Sequence, residues 1–269
     1  MTSAVRAAAL SRRPPRPRTA WKGWLVVAVV LGITAWTGIA IGVDIPDLLA
    51  NWRNGFANMA ALTQPDYWFF PQTLPALVET IQMAVMATAI ASVVGLPISF
   101  AASRVTNPSR PFMLAVRSVM NVVRAVPDLL YAAILVSVVG TGVLSGTIAL
   151  VLFNTAIIVK LVSEALDAVD TGGQEAALAA GATWPKADRA AVLPEILPSF
   201  ASQVLYTFEL NIRASTVIGL VGAGGLGMLI DKVRTFYHYH ALSLIILEIL
   251  VVVLVLEIAS SSLRKRLTR

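Results

Sequence analysis

Glu175-Ala176-Ala177-Leu178-Ala179-Ala180-Gly181, followed by Val192-Leu193-Pro194, is a polar, helix-prone insert between two long apolar runs. The chain around it is membrane-like: 57% of its 269 residues are apolar, 13% are charged, and the mean hydropathy is +0.76. Soluble domains rarely tolerate so little charge. A hydrocarbon core of about 30 Å takes roughly 20 helical residues to cross. Runs of that kind stand at 24–43, 74–102, 112–139, 147–166, 196–221 and 241–259. The sequence therefore predicts an all-α polytopic membrane protein with about six transmembrane helices. The first run is too long for a signal-peptide core, and Val43-Asp44-Ile45-Pro46 offers no small-residue cleavage site, so it reads as an uncleaved anchor. Cysteine is absent, which excludes a disulfide framework, a thiol nucleophile and a thiolate metal site.

Orientation follows from the basic residues, which favour cytoplasmic loops and span ends. An inside N-terminus gives the cytoplasmic segments Arg6, Arg12, Arg13, Arg16, Arg18, Lys22, Arg104, Arg110, Lys186, Arg189, Arg264, Lys265, Arg266 and Arg269. The outer loops keep only Arg53, Lys232 and Arg234. Both termini are thus expected in the cytoplasm, and the Glu175 segment with them. The resulting organisation is a disordered basic head over 1–23, a single transmembrane domain over 24–260 and a basic tail over 261–269. Within that domain lie an outer interfacial loop at 44–72 and cytoplasmic helices at 168–195. The head, rich in Arg and Pro, suits anionic lipid beside a first span better than nucleic acid. In the outer loop, Leu48, Leu49, Trp52, Phe56 and Met59 recur at helical spacing, as in a helix lying on the interface.

The insert has its own start and stop signals. Thr171-Gly172-Gly173-Gln174 fits a capping box, with the Thr hydroxyl on the N3 amide and Gln174 reaching back. Gly181 ends that helix, Thr183 caps a second short one, and Pro194 and Pro198 interrupt the chain as it re-enters the membrane. The result is a knob of two short helices whose Ala face admits close approach, with Glu175 offered to a partner.

Glu-Ala-Ala, three residues, Gly, and then an apolar residue near Leu-Pro resembles the cytoplasmic coupling motif of ATP-binding-cassette importer permeases. Ala191 and Val192 replace its usual Ile. The resemblance implies that Glu175, Ala176, Ala177, Gly181, Leu193 and Pro194 dock on ATPase subunits. The stretch from Phe208 to Gly227 and the run Arg124-Ala125-Val126-Pro127-Asp128 are similar to the permeases of phosphonate-type importers, within the methionine-permease-like fold. What this implies is a non-catalytic subunit with no cofactor of its own, ATP and Mg being bound by two partner ATPase subunits. It further implies a second permease subunit, identical or paralogous, an extracytoplasmic solute-binding protein, a phosphorus oxyanion as cargo, and a bacterial inner membrane location.

Charges inside spans are costly and mark functional candidates. Glu209 and Arg213 are four apart, as are Lys160 and Glu164, so each pair either neutralises itself or faces an aqueous route. Arg117 and Arg124 are seven apart on one face. Arg presents a fork matched to phosphoryl oxygens, which makes Arg124 and Arg213 the candidate donors along the path, with Glu209, Asn211, Ser215 and Thr216 beside them. Gly219 to Gly227 lacks the Gly-Lys-Ser/Thr ending of a nucleotide loop. Gly222, Gly224, Gly225 and Gly227 instead allow sharp turns and close packing, suited to an outer gate or hinge. The only histidines, in Tyr237-His238-Tyr239-His240, lack the partners of a metal site and read as interfacial anchors. A permease for another solute such as an amino acid, a secondary transporter or channel, and a membrane enzyme are the alternatives. The last two want inverted repeats or a converging acid, base or metal cluster, and the sequence displays neither.

Overall fold

A computed structural model describes residues 20–267, so most of the expected basic head and the last two residues of the tail lie outside the described residues. The chain divides into two compact units, Met1–Ala57 and Asn58–Arg269, where the sequence reading drew no boundary. In the first, helix α1 (Ala20–Ala40) is apolar around its circumference and exposed, the pattern of a helix that meets lipid on every side. Its Thr34 and Thr37 hydroxyls bond back to the Val30 and Ile33 carbonyls at 2.8 Å, so neither needs an outside partner. Helix α2 (Ile45–Ala61) begins at Asp44, whose carboxylate accepts the Asp47 amide at 3.1 Å. Trp52 and Phe56 meet edge to face on the expected apolar side of this helix.

The second unit is a helical bundle. After a 3₁₀ turn at Tyr67–Phe69 come α3 (Phe70–Ala102), α4 (Arg110–Ala125), α5 (Asp128–Val139) and α6 (Val143–Leu166). Then follow α7 (Gly172–Ala179), α8 (Trp184–Ala187), a π-helical turn at Asp188–Val192, α9 (Leu193–Gly219), α10 (Gly225–Thr235) and α11 (Tyr239–Leu267). The dominant seam joins α3 to α6. On α3 the buried residues Ala87, Ala91, Gly95 and Ser99 recur every fourth position, the small-residue spacing that lets membrane helices approach closely. A Cβ on Gly95 would lie 2.9 Å from Ile158 Cγ2 on α6. Hydroxyls on this seam are satisfied within their own helix: Thr88, Ser92 and Ser99 each donate to the carbonyl four residues earlier at 2.6–2.7 Å.

Among the described residues, four helices are long and apolar enough to cross a membrane: Trp21–Ala40, Tyr67–Ala102, Val143–Leu166 and Tyr239–Arg266. The expected span at 112–139 is broken. Pro127 holds Val126 extended, and α4 and α5 meet at 80°, bridged by the Tyr131 hydroxyl donating to Val123 O at 2.8 Å; taken as one crossing they make a fifth. The expected span at 196–221 corresponds to α9, which is 27 residues long but too polar to qualify. It packs against α3, α5, α6, α10 and α11, so protein rather than lipid covers much of it. By length and apolarity alone, four or five of the about six expected crossings qualify among the described residues. Pro198 also lies inside α9 instead of interrupting it, and the π turn carries α8 into α9 without a break.

The end of the bundle holding Gly222 is crowded by backbone. Gly222, Gly224 and Gly225 have positive φ, and Gly142 N donates to Gly222 O at 2.8 Å. The first amides of α10 are capped from α3, Gly225 N by Glu79 Oε2 at 3.3 Å and Leu226 N by Thr80 Oγ1 at 2.8 Å. Gly227 is small for a different reason: a Cβ there would sit 2.0 Å from Thr216 O and 2.6 Å from Gly219 Cα. Gly227→Ala is expected to destabilise the bundle by about 1–3 kcal/mol through overpacking. Gly38→Ala, with nothing within 4 Å of the added methyl, serves as the neutral control. Thermal unfolding in detergent measures both; equal midpoints overturn the assignment.

Candidate functional site

At the opposite end of the bundle the Glu175 segment forms the expected turn by different contacts. Helix α7 starts at Gly172, but Thr171 makes no capping bond; its hydroxyl donates to Glu175 Oε1 at 2.9 Å, and Asp170 Oδ1 accepts the Gly172 amide. Gln174 does not reach back. It is buried, and its Nε2 donates to Asp188 Oδ1 at 2.6 Å and to Val105 O at 3.2 Å. Tertiary contact thus replaces the expected capping box. The stop is as expected: Gly181 has φ +89°, with Gly181 N on Leu178 O at 2.9 Å and Ala182 N on Ala177 O at 3.0 Å, the paired bonds of a Schellman end. Glu175, Ala176, Ala179, Ala180 and Gly181 are left exposed, Ala177 is half-buried, and Leu193 and Pro194 open α9 a short way off. Behind the turn lies an apolar groove of about 630 Å³ walled by Leu96, Phe100, Trp184, Pro185 and Leu193.

The charged candidates separate into two nodes and one open face. In the first node Asp167, at the end of α6, accepts Arg117 Nη2 at 2.6 Å, Ser103 Oγ at 2.8 Å and the Arg104 amide at 2.9 Å, while Arg117 Nε donates to Ala102 O at 2.6 Å. Burial by itself pushes the Asp167 carboxyl up, but the bonds from Arg117, Ser103 and the Arg104 amide hold it below its ordinary range. Sequence reasoning missed Asp167 because its partner lies 50 residues away on another helix. In the second node Glu209, 12% exposed, accepts Arg213 at 2.8 Å and also Arg264 of α11 at 3.2 Å. Glu209 therefore keeps a cation even without Arg213. Thr73 and Glu248, hydrogen-bonded at 2.6 Å between α3 and α11, form a further contact that no local pattern announced.

Asn211 and Ser215 are buried inside the bundle. Asn211 accepts from Asn154 on α6 at 2.5 Å and donates to Thr88 on α3 at 2.7 Å, while Ser215 and Thr216 bond back to Ile212 O. Asn211 thus joins three helices and Ser215 and Thr216 are satisfied within α9, leaving Arg124 and Arg213 as the exposed cations of the candidate set. Arg117, Asn121 and Arg124 lie on one face of α4, four and then three residues apart, and among the described residues Arg124 enters no ion pair. His240 is tied down by Nδ1 to Gln64 O at 2.8 Å, and no metal-binding cluster of His, Asp or Glu occurs among the described residues.

Residues 94–269 match the family described as binding-protein-dependent transport system inner membrane component. The chain belongs to that family. This inner membrane component is 36% identical over 246 residues to the phosphite transport system permease protein PtxC of Stutzerimonas stutzeri, covering 91% of this chain and 90% of the relative. It is 36% identical over 193 residues to the phosphate-import permease protein PhnE of Mycolicibacterium smegmatis, covering 71% of this chain and 36% of that longer relative. A chain of the MetNI methionine ABC transporter, solved in inward-facing conformations, superposes with a TM-score of 0.68 at 23% identity, over 76% of this chain and all of that one. The methionine-permease-like fold expected from the sequence is thereby established.

Burial lifts the Asp188 carboxyl above its ordinary range, against the opposing bond from Gln174. A raised native pKa means that the folded form binds the extra proton, so stability falls as pH rises from the usual carboxylate range through the raised value. Asp188→Asn keeps an acceptor for Gln174 and removes that charge. Its thermal midpoint at neutral pH is expected to equal or exceed the parent's, with a flatter slope below neutrality. A lower midpoint would show that the charge itself is required.

Proposed function

We propose that this chain is the membrane-spanning permease subunit of an ATP-driven importer whose cargo is a phosphorus oxyanion: a phosphonate, phosphate or phosphite. The observation that carries the cargo is its kinship, along most of its length, with a phosphite permease, joined by likeness to a phosphate-import permease. The methionine transporter likeness supports the fold and says nothing of the cargo. The physical chemistry agrees. Arg117, Asn121 and Arg124 give α4 a polar face, and such a face is costly against hydrocarbon, so it belongs against water or protein. Arg124, with Arg213, would donate to phosphoryl oxygens along that route.

In this reading a second permease subunit, identical or paralogous, completes the path, and a solute-binding protein delivers cargo from outside. Two ATPase subunits bind ATP and Mg and dock on the exposed Glu175 to Gly181 turn, so this chain does no chemistry. Closure of the ATPases draws the two turns together and opens the Gly222 end, where the crowded glycines form the gate. Both termini lie in the cytoplasm of a bacterial cell, with the inner membrane around the bundle.

Vesicles carrying the full importer test the cargo: ATP-dependent uptake of radiolabelled phosphite or phosphate is expected, and uptake of methionine without either overturns the assignment. For coupling, Gly181→Val strains a residue at φ +89° and Glu175→Ala removes the offered charge. The double variant is expected to insert normally but lose ligand-stimulated ATPase activity about tenfold or more, equivalent to about 1.4 kcal/mol. Full activity refutes docking at this turn. Orientation is read by single cysteines: at Ser109 and Lys186 they are expected to react with an impermeant reagent only from the cytoplasm, and at Asn58 only from outside. Lys186 is chosen because the neighbouring Ala187 is buried.

A further inference from the structure

The polar face of α4 does not simply stop at Arg117. Its lower part, Asn121 and Arg117, forms one wall of a cavity of about 220 Å³ closed by Arg104 after α3 and by Lys160, Ser163, Glu164 and Asp167 of α6. Liquid water occupies about 30 Å³ per molecule, so the space takes a group of several non-hydrogen atoms, the size of a tetrahedral oxyanion. Three cations face two carboxylates. The two carboxylates are unlike. Asp167 is held by three donors and serves to fix Arg117, whereas among the described residues the only ion pair of Glu164 is with Lys160, at 2.5 Å, with side-chain exposures of 56% and 40%. An exposed pair of that kind contributes at most about 1 kcal/mol, so Glu164 can yield its place on Lys160 to a more highly charged ligand. Arg117 uses Nε and one Nη2 N–H on Ala102 and Asp167 and keeps further N–H groups for a ligand. The Asn121 amide makes no hydrogen bond among the described residues and adds a neutral donor.

The geometry points to a phosphoryl-oxyanion site in this cavity, built from Lys160, Arg117, Arg104 and Asn121, that receives the cargo at the inward end of the path. Arg124, Asn121 and Arg117 stand about one turn apart along α4, so donors lead from the open face into the cavity without a gap longer than about 6 Å of helix rise. Site and path therefore form one route. This inference rests on the proposed import of a phosphorus oxyanion and on the cytoplasmic placing of the Glu175 end. The same chemistry also suits the phosphodiester of an inner-leaflet lipid, which the experiment separates.

Because the chain lacks cysteine, Met120→Cys places a single thiol in the cavity wall. The complete importer carrying it is put into discs of phosphatidylcholine, and the rate of thiol labelling of this subunit is followed with inorganic phosphate or with chloride at equal ionic strength. Millimolar phosphate is expected to slow labelling, and Lys160→Gln or Arg104→Gln to raise the phosphate needed about tenfold, about 1.4 kcal/mol per lost charge-assisted bond. Both substituted side chains are partly or largely exposed, so the variants fold, and Arg117 keeps its Asp167 contact. If phosphate does not protect, the site is refuted. If protection comes instead from adding phosphatidylglycerol, and phosphate has no effect in phosphatidylcholine, the cavity is a lipid site and the inward station is refuted. Uptake of phosphite or phosphate by the same variant importer sealed into vesicles keeps the two readings apart: intact uptake without protection in discs sinks only this inference, whereas absence of both sinks the proposed function.

Discussion

Helices surrounded by hydrocarbon gain little by exchanging one apolar neighbour for another, so their register rests on close contact and on polar bonds that have no other partner. In this bundle those bonds are the chain Asn154 to Asn211 to Thr88, buried where α6, α9 and α3 meet. A shift of α9 by one residue would turn Asn211 through about 100° and leave the buried Asn154 and Asn211 amides without these partners, while Thr88 keeps its bond to Ala84 O. The small residues of α3 let the backbones come close enough for the bonds to form, and the apolar clusters on either side follow. Met83, Leu150 and Ile218 fill the Gly222 half, and Ile158, Val162, Val192 and Ile196 the other.

The two ends of the bundle are built on opposite principles. At the Gly222 end the limit is steric: backbone meets backbone, and residues as small as Ala no longer fit. At the other end it is electrostatic, with one carboxylate, Asp167, gathering the end of α6, the exit of α3 and the side of α4 around a single charge. Arg117 is thus two things at once, a clamp through Asp167 and part of a cavity wall. That dual use explains why one cation of the α4 face is fixed while Arg124, a little farther along, remains open.

What the sequence revealed was what neighbours within a few residues decide. Gly181 stops α7 because positive φ is a local demand; Pro127 was equally local, yet the apolar run 112–139 was read through it as one span, although its ring restricts the residue before it and breaks the helix there. Composition alone placed the chain in a membrane, and among the runs counted as crossings α9 is the one that draws much of its surroundings from other helices and can afford charges. What stayed hidden depends on partners far along the chain. Gln174 fits a capping box by spacing yet turns inward to Asp188, and Glu209 pairs with Arg213 as expected but also with Arg264, 55 residues away. Asn211 was legible as a polar residue in a span, yet only packing decides whether such a residue faces a route or a neighbour.

The joint between the Trp184 segment and α9 has a mechanical meaning. Four residues of α8, five of the π turn and 27 of α9 follow one another with no loop between them, a rod of about 50 Å at 1.5 Å per residue. A loop would absorb movement of the Trp184 end; a continuous helix transmits it as tilt. With the Asn211 contacts gripping the rod partway along, its two ends must swing in opposite senses, and Gly219 at the far tip is wedged against Gly224 and Gly227. The regular hydrogen-bond ladder of the rod is interrupted at the π turn and at Pro194 and Pro198, so the stiffness of this stretch sets how much of a push at one end arrives as torque at the other.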